Sequence, residues 1–351
     1  MKKAFRIYNI DFCVESGNAG FISFAQDSLS FLPQSEDASF EVILNVDFGP
    51  SLNTGRYFAE EKKGCVLFAN SAFKLYSAQN RLVYDPFLLP WLSFCLERRE
   101  RKLLINAFIN SSSRERFKGL FQKGILQEKF YYLIRYLAHF IILYIAKNEM
   151  GFALVHGSAV EKDGEGYLFC GLPGCGKSSL ALSSVSGSGF KLLSDNFLLV
   201  KDGFIYSFAD MLRFSSFDKG IAGVSGISDS GYMVKGKRFY SLDKNRLSPR
   251  AKLKSAYIIC LAEDNFIRGI AAQEFLRMKN GIDAATKEFF EYSFIDIFSL
   301  FDAFSSGMAS GESLGRSLPG ADCYFAGVRK GAIGSAFIEY LISARKEQAE
   351  A

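Results

Sequence analysis

The sequence predicts an α/β protein in which a layered core of strands and helices follows a small β-rich domain and a helical segment. Short runs rich in Phe, Val, Ile and Tyr fill residues 1–85, and apolar residues recur at helical spacing over residues 86–150. From residue 151 onward, strands alternate with a Gly-rich turn and a helix, which is typical of layered α/β folds. The predicted domains are therefore 1–85, 86–150 and 151–351.

The first two segments contain no catalytic constellation. In residues 1–85 the runs FRIYNIDFCV, SFEVILNVDF, GCVLFAN and FKLYSAQNRLVY predict a small antiparallel β unit. In residues 86–150 the segments PFLLPWLSFCLERRERKLLINAF and EKFYYLIRYLAHFIILYIAKNEM predict two helices.

The later elements follow in order from residue 152. FALVHGSAV and YLFCG are apolar runs of strand length joined by the turn EKDGEG, and GKSSLALSSV is helical. GFKLLSD predicts another strand, and FLLVKDGFIYSF predicts a hairpin around Asp202 and Gly203. AYIICLAE predicts a further strand, and the last predicted helix covers residues 330–346.

Composition excludes several classes of protein. Apolar residues make up 49% of the 351 residues and charged residues 23%, so the chain is neither disordered nor fibrous. The net charge of +5 is too small for a protein that wraps nucleic acid. The seven cysteines are scattered without a C-x-x-C pair, which favours reduced thiols in a cytoplasm.

No membrane segment is predicted. The N-terminus has two lysines without the continuous apolar stretch of a signal peptide. The most apolar segment, Tyr131 to Ala146, is interrupted by Arg135 and His139 and predicts a buried helix. We expect a cytoplasmic protein that binds neither membrane nor nucleic acid, and homo-oligomerisation stays open.

The strongest motif is a complete G-x-x-x-x-G-K-[ST] phosphate-binding loop from Gly171 to Ser178. Its glycines let consecutive backbone N–H groups surround an anion, and the following helix contributes the positive end of its dipole. Lys177 would reach the β- and γ-phosphates, and the Ser178 hydroxyl would be a Mg²⁺ ligand. The predicted nucleotide-binding residues are Gly171, Leu172, Pro173, Gly174, Cys175, Gly176, Lys177, Ser178 and Ser179.

A carboxylate follows one helix after this loop, in Leu192-Leu193-Ser194-Asp195. An apolar strand that ends in Asp195 would place the carboxylate at the strand's C-terminal end, where ligands sit in open α/β sheets. Asp195 could hold Mg²⁺ or accept a proton from an attacking hydroxyl. The alternative is an exposed turn residue before a hairpin.

Two further features have both functional and structural interpretations. His156, at the end of FALVH, could contact a phosphate or a catalytic carboxylate, and it equally suits a residue that serves only packing. Eight Lys or Arg between Lys235 and Lys254 could form a mobile lid over transferring phosphate or dock an acidic peptide. A solvated basic loop is the alternative.

Taken together, LVHGSAVEKDGEGYLFCGLPGCGKSSLALSSVSGSGFKLLSDN resembles the core of HPr kinase/phosphorylase and its serine-kinase relatives. That family belongs to the phosphoenolpyruvate-carboxykinase-like branch of P-loop proteins. The resemblance covers about 45 residues strongly, and the flanks match in outline only. It rests on His156-Gly157, the phosphate loop, the helix after it, and the block from Gly189 to Asn196.

This resemblance implies a P-loop core with a mixed sheet and flanking helices, and an ATP- and Mg²⁺-dependent kinase. The enzyme would transfer the γ-phosphoryl group to a serine hydroxyl of a peptide or small protein. Its catalytic residues would be His156, Lys177 and Asp195, and its metal ligands would be Ser178, Asp195 and Asn196.

One position departs from the family pattern. The family carries two adjacent acids, and the second position here is Asn196. An amide oxygen can ligate Mg²⁺ but cannot act as a base. Asp195 would then supply the base alone or with help from Asp210 or Asp218, and reverse phosphorylase activity is not expected. A catalytically weak or inactive nucleotide-binding regulator is the alternative function. A P-loop hydrolase or transport ATPase is a third candidate, although no LSGGQ-like segment follows the loop.

Overall fold

The computed structural model describes residues 1–33, 39–49, 58, 65–69, 73–78, 81–86, 91–111, 125–187, 189–215, 226–285, 314–329 and 337–343. These residues form two compact units, one mainly from Met1–Ile142 and the other mainly from residues 143 onward. Both contain strands and helices, so the α/β class predicted from the sequence is confirmed. Asp218, the proposed helper acid, lies outside the described residues.

The first unit contains an eight-stranded sheet. Its strands are β1 (Lys2–Ile7), β2 (Ile10–Ser16), β3 (Phe40–Gly49), β4 (Cys65–Ala69), β5 (Phe73–Ala78), β6 (Arg81–Pro86), β7 (Leu92–Arg99) and β8 (Lys102–Asn110). They lie in the order β1-β2-β3-β8-β7-β6-β5-β4. The predicted strands are confirmed, but the expected antiparallel pairing is wrong at the centre, where β3 is parallel to both β2 and β8.

The parallel pairing arises because a helix that the sequence analysis missed, α1 (Ala19–Leu29), carries the chain from β2 to β3. Asn18 caps this helix by accepting a hydrogen bond from the Phe21 amide at 3.0 Å. Phe21, Phe24 and Leu29 are buried at helical spacing. The N-cap and this spacing are the signals in the sequence that could have identified the helix.

The helix predicted at the start of residues 86–150 is also wrong, because β7 and β8 form a β-hairpin. Arg99 pairs with Lys102 across the turn, and Glu100 has a left-handed φ of 52°. Residues 92–97 are all buried, so their apolar pattern has no strand alternation. A continuous apolar run of this length cannot be assigned to strand or helix from periodicity alone.

The hairpin yields a test of the fold at Glu97, whose buried carboxylate lies 2.6 Å from Arg99 Nη2 and 3.1 Å from Arg81 Nε. Hydrogen bonding to Arg99 holds the pKa of Glu97 below its usual value. A lowered pKa in the folded state contributes stability above the unfolded pKa, and that stability is lost as pH falls. We expect Glu97→Gln to lower Tm at pH 7, and we expect its difference from wild type to shrink as pH falls below the usual pKa of glutamate, as measured by circular dichroism. The exposed Glu100→Gln is the control, and equal Tm values for both variants at pH 7 would contradict the assignment.

The second helix predicted in residues 86–150 is confirmed. It comprises α2 (Ile125–Ile134), a π-helical turn (Arg135–His139) and α3 (Phe140–Glu149). Leu126–Glu149 is long and apolar enough to cross a membrane, but 89% of its most apolar window is buried. Such burial is typical of a core helix in a soluble protein. The division between the two units falls inside α3.

The second unit carries the phosphate-loop motif. Its strands are β9 (Ala153–Lys162), β10 (Glu165–Cys170), β11 (Lys191–Lys201), β12 (Phe204–Ser207), β16 (Arg250–Ala262), β17 (Phe266–Gly269) and β18 (Asp322–Arg329). A separate three-stranded sheet contains β13 (Leu212–Ser215), β14 (Ile227–Val234) and β15 (Lys237–Leu242). The helices are α4 (Lys177–Gly187), α5 (Ala272–Ala285) and α6 (Leu314–Ser317), a 3₁₀ turn covers Lys244–Arg246, and residues 337–343 are helical.

The seven-stranded sheet has the order β10-β9-β11-β12-β16-β18-β17, and β10 also pairs with β16 in parallel. The predicted hairpin around Asp202 and Gly203 is confirmed, since Lys201 pairs with Phe204. Each face of β10-β9-β11 has its own core. On one face, Val160 and Phe169 pack against α4. On the opposite face, Leu168 and Cys170 belong to a second core.

Candidate active site

The loop Gly171–Ser178 joins the end of β10 to α4, whose first residue is Lys177. The predicted succession of strand, Gly-rich loop and helix is therefore present. Gly171 lies so close to β16 that an added Cβ would meet the carbonyl oxygen of Ile259 and, at 2.7 Å, the Sγ atom of Cys175. A side chain at this position would displace the loop from the sheet.

This close approach predicts a large effect for Gly171→Ala. A backbone carbonyl cannot move aside cheaply, so we expect a loss of about 1–3 kcal/mol in the free energy of unfolding, measured by urea denaturation. Gly281→Ala is the matched control, because Gly281 lies in α5 with open space around its Cβ position. That change should stabilise the helix by about 0.5–1 kcal/mol. Wild-type stability in Gly171→Ala would show that the loop is not held against β16.

The rim of the loop is open. Leu172, Pro173 and Gly174 are exposed, and nothing lies within 4 Å of a Cβ built on Gly174. Gly174 and Gly176 have φ angles of 80° and 98°, a region that glycine enters without strain. The backbone amides of the loop are thus held by glycine conformations and are not covered by side chains on the rim.

Lys177 lies beneath this rim and is 8% exposed. Its Nζ atom donates hydrogen bonds to the carbonyl oxygens of Gly171 at 2.8 Å and Leu172 at 3.0 Å. The Cys175 Sγ atom lies 4.0 Å from the same nitrogen. All three contacts join the ammonium group to the loop itself. The positive charge is therefore fixed inside the loop that would surround an anion.

The first turn of α4 adds two hydroxyls and a set of backbone amides. Ser178 is half-buried and Ser179 is exposed. The first amides of a helix have no partner within the helix, and the helix dipole makes this end positive. Together with Lys177, this terminus combines the donors and the positive charge that favour binding of an anion.

Asp195 is the fifth residue of β11, which continues to Lys201. The expectation that the strand ends at Asp195 is therefore wrong, because the apolar run after it extends the same strand into the hairpin. Its side chain is half-buried. The Asp195 Oδ1 atom accepts a hydrogen bond from Ser158 Oγ at 2.7 Å.

A row across the sheet relates Asp195 to the phosphate loop. Ser158 on β9 pairs with Phe169 on β10 and with Asp195 on β11. Neighbouring strands lie about 4.8 Å apart, so the Asp195 backbone is about 10 Å from that of β10. Phe169 is two residues before Gly171. The sheet thus holds the carboxylate two strands away from the start of the loop.

His156 lies on the same face of the sheet as Ser158 and Asp195, since alternate residues of a strand share a face. It is 7% exposed and pairs with Phe197, whose ring centroid lies 6.2 Å from that of the imidazole. The sheet therefore aligns the polar side chains of His156, Ser158 and Asp195 on one face.

Asn196 is on the opposite face. It pairs with Gly157, where an added Cβ would contact the opposite-face side chain of Leu168 at 3.5 Å. Its φ is 153°, which residues other than glycine rarely adopt. Adjacent strand residues point to opposite faces, so Asn196 does not stand beside Asp195 as a second ligand. In the described part of the chain, no three His, Cys, Asp or Glu side chains cluster around a metal position.

Among the described residues, three other charged side chains proposed from the sequence have partners of their own. The Asp210 Oδ1 atom accepts from the Met211 amide at 2.7 Å in the connection after β12. The basic segment expected as a lid begins in the turn after β14 and continues through β15 and the 3₁₀ turn into β16. Arg246 donates to the Val185 carbonyl at 3.0 Å, and Lys254 pairs with Glu165 at 3.0 Å. Within the described residues, the basic segment therefore lies largely in regular elements and turns.

Two neighbouring residues were missed by the sequence analysis. Ser158 stands two positions after His156, and strand alternation could have placed it on the same face. Cys170, the last residue of β10, is fully buried, and burial raises its pKa to about 12. Its thiol is therefore neutral at physiological pH and is not a nucleophile.

Comparison with known proteins does not identify a family for this chain. No protein-family model matches the chain, and a search of curated proteins found no match. Among solved structures, the HPr(Ser) kinase/phosphatase from Coxiella burnetii matches with a TM-score of 0.31 and 10% sequence identity. That match covers 57% of this chain and 99% of the other. The assignment of function therefore depends on the residues of the site.

Proposed function

We propose that this protein is an ATP-dependent kinase that transfers the γ-phosphoryl group to a serine hydroxyl of a protein or peptide. The observation that carries the proposal is the glycine loop with buried Lys177, aligned by the sheet with the half-buried carboxylate of Asp195. Phosphoryl transfer needs a phosphate cradle, positive charge and an oriented nucleophile more than covalent chemistry by the protein. The order of motifs that resembles HPr kinase favours a serine acceptor.

In this proposal, the loop amides and the N-terminus of α4 bind the phosphates. Lys177 offsets negative charge on the β- and γ-phosphates. Asp195 accepts the proton of the acceptor hydroxyl as the new O–P bond forms, and the bond from the γ-phosphorus to the β,γ-bridging oxygen breaks to release ADP. His156 is on the same sheet face and is 7% exposed, so we assign it a role in packing beside Asp195.

The side chains near the loop offer two oxygen donors for a magnesium ion. Mg²⁺ in kinase sites is held by one or two protein oxygens together with phosphates and water. The Ser178 hydroxyl and Asp195 can supply such oxygens, whereas the position of Asn196 does not favour it as a partner. When bound, the ion would neutralise charge that develops on the transferred phosphoryl group.

The experiment that tests the proposal incubates the protein with Mg·ATP and a library of serine-containing peptides, with phosphoserine detected by mass spectrometry. A matched library with alanine in place of serine is the control. Phosphoserine in the first library alone is the expected result. Phosphate on threonine or tyrosine only would reject the serine assignment.

The second candidate function is a nucleotide-binding regulator without catalysis. Its supporting observation is Asn196, which provides no second carboxylate and lies on the opposite face from Asp195. Tight binding of Mg·ATP without phosphoryl transfer to any peptide or to water would favour this function over the kinase.

A further inference from the structure

Ser158 is a buried hydroxyl on β9, between the strand that leads into the phosphate loop and the strand that carries Asp195. It is 1% exposed. Its neighbours across the sheet are Phe169 on β10 and Asp195 on β11. Because both neighbouring strands are hydrogen-bonded to β9, the backbone that carries Ser158 is fixed relative to Asp195.

The hydroxyl is bonded to the carboxylate directly. Ser158 Oγ donates to Asp195 Oδ1 at 2.7 Å. This distance is ordinary for a hydrogen bond between a hydroxyl donor and an oxygen acceptor. Among the described residues, the side chain that donates a hydrogen bond to the Asp195 carboxylate is that of Ser158. It restricts rotation of the carboxylate and engages one of its two oxygens, so Oδ2 is left to accept a proton.

A neutral donor suits a base better than a charged one. A lysine or arginine at this position would also hold the carboxylate, but its charge would oppose uptake of a proton. A hydroxyl fixes the orientation without neutralising the charge. A general base works only within hydrogen-bond reach of the proton that it accepts. The orientation of the base therefore affects the rate of the reaction more than it affects the binding of substrate.

We propose that Ser158 is a positioning residue for Asp195. This inference rests on the proposed kinase function: Ser158 holds Oδ1, and Oδ2 takes the proton of the attacking hydroxyl while the γ-phosphoryl group moves to the acceptor oxygen. Ser158 touches neither nucleotide nor acceptor and acts through Asp195.

The test compares Ser158→Ala with Ser194→Ala. Ser194 is a matched control because its buried hydroxyl donates to the Phe208 carbonyl at 2.7 Å on the opposite face, next to Asp195 in sequence. Three quantities are measured. They are the rate of transfer of the labelled phosphoryl group from [γ-³²P]ATP to peptide and to water, the KM for Mg·ATP, and Tm. We expect Ser158→Ala to lower kcat by roughly 10- to 100-fold with KM within about threefold of wild type. Ser194→Ala should leave kcat near wild type even if its Tm falls.

A double-mutant cycle separates positioning from a general structural effect. In an Asp195→Ala background, Ser158→Ala should cause no further loss of kcat, because the group that it orients is gone. Ser194→Ala should have the same small effect in both backgrounds.

Three outcomes would overturn the inference. Equal kcat in wild type and Ser158→Ala would reject it while leaving the kinase intact, as would equal losses in Ser158→Ala and Ser194→Ala. Full additivity of Ser158→Ala with Asp195→Ala would do the same. Absence of turnover in wild type, with Mg·ATP bound, would instead reject the proposed function and this inference with it.

Discussion

Lys177→Met should weaken Mg·ATP binding by about 100-fold, because each lost bond between a charged donor and its acceptor costs about 1.5–3 kcal/mol. Lys177 is the buried cation inside the glycine loop, with Nζ bonded to two loop carbonyls. Methionine keeps much of the side-chain volume and removes the charge. Isothermal titration calorimetry with Mg·ATP measures the effect.

The control for this variant is Lys191→Met, which removes an exposed lysine at the start of β11. It should bind Mg·ATP as wild type does. Since Lys177 also bonds to the loop, Lys177→Arg provides a second variant that keeps the charge but not the geometry, and it should lie between wild type and Lys177→Met. Binding within threefold of wild type in Lys177→Met would show that the loop does not hold the phosphates.

Asp195→Asn should lower turnover by about 10²- to 10⁴-fold, the usual contribution of a general base, with little change in Mg·ATP binding. The amide oxygen can still accept the hydrogen bond from Ser158, so the geometry of the sheet is kept and only the basic group is lost. Steady-state release and transfer of the γ-phosphoryl group measure the effect.

Asp202→Asn is the matched control, because Asp202 is exposed in the turn between β11 and β12, where its left-handed φ of 50° also suits asparagine. Its turnover should equal that of wild type. If Asp195→Asn and Asp202→Asn both keep wild-type turnover, the base has been assigned to the wrong carboxylate.

The phosphate loop was predictable from sequence because its chemistry is local. Glycines at 171, 174 and 176 and the lysine that follows are needed for one short turn between a strand and a helix. The structure also explains why no other residue suits position 171: the carbonyl of Ile259 occupies the space that a Cβ atom would need. That contact comes from a strand almost 90 residues later in the chain, and no local pattern reports it.

The position of Asp195 was only partly predictable. Its nearness to the loop followed from one intervening helix, but the strand continues past it, and the hydrogen bond with Ser158 depends on antiparallel pairing with β9. The opposite orientation of Asn196 follows from strand alternation once residues 191–201 are known to be one strand. Sequence alone divided that strand in two and therefore missed the alternation.

The prediction for the hairpin of β7 and β8 was wrong for a different reason. The apolar residues of β7 are buried on both faces, so the alternation that identifies a strand is absent from that part of the sequence. Glu97 is buried with arginines at either side, and the charged run that was assigned to a helix is a strand end and a turn. Only tertiary pairing distinguishes these cases.

The measurement that tests the account most directly follows the γ-phosphate of [γ-³²P]ATP in wild type, Lys177→Met and Asp195→Asn, assayed in parallel with serine peptides. The account predicts label on serine in wild type, loss of both binding and transfer in Lys177→Met, and binding without transfer in Asp195→Asn. Transfer at the same rate in all three would contradict it, because the loop lysine and the carboxylate would then have no part in the reaction.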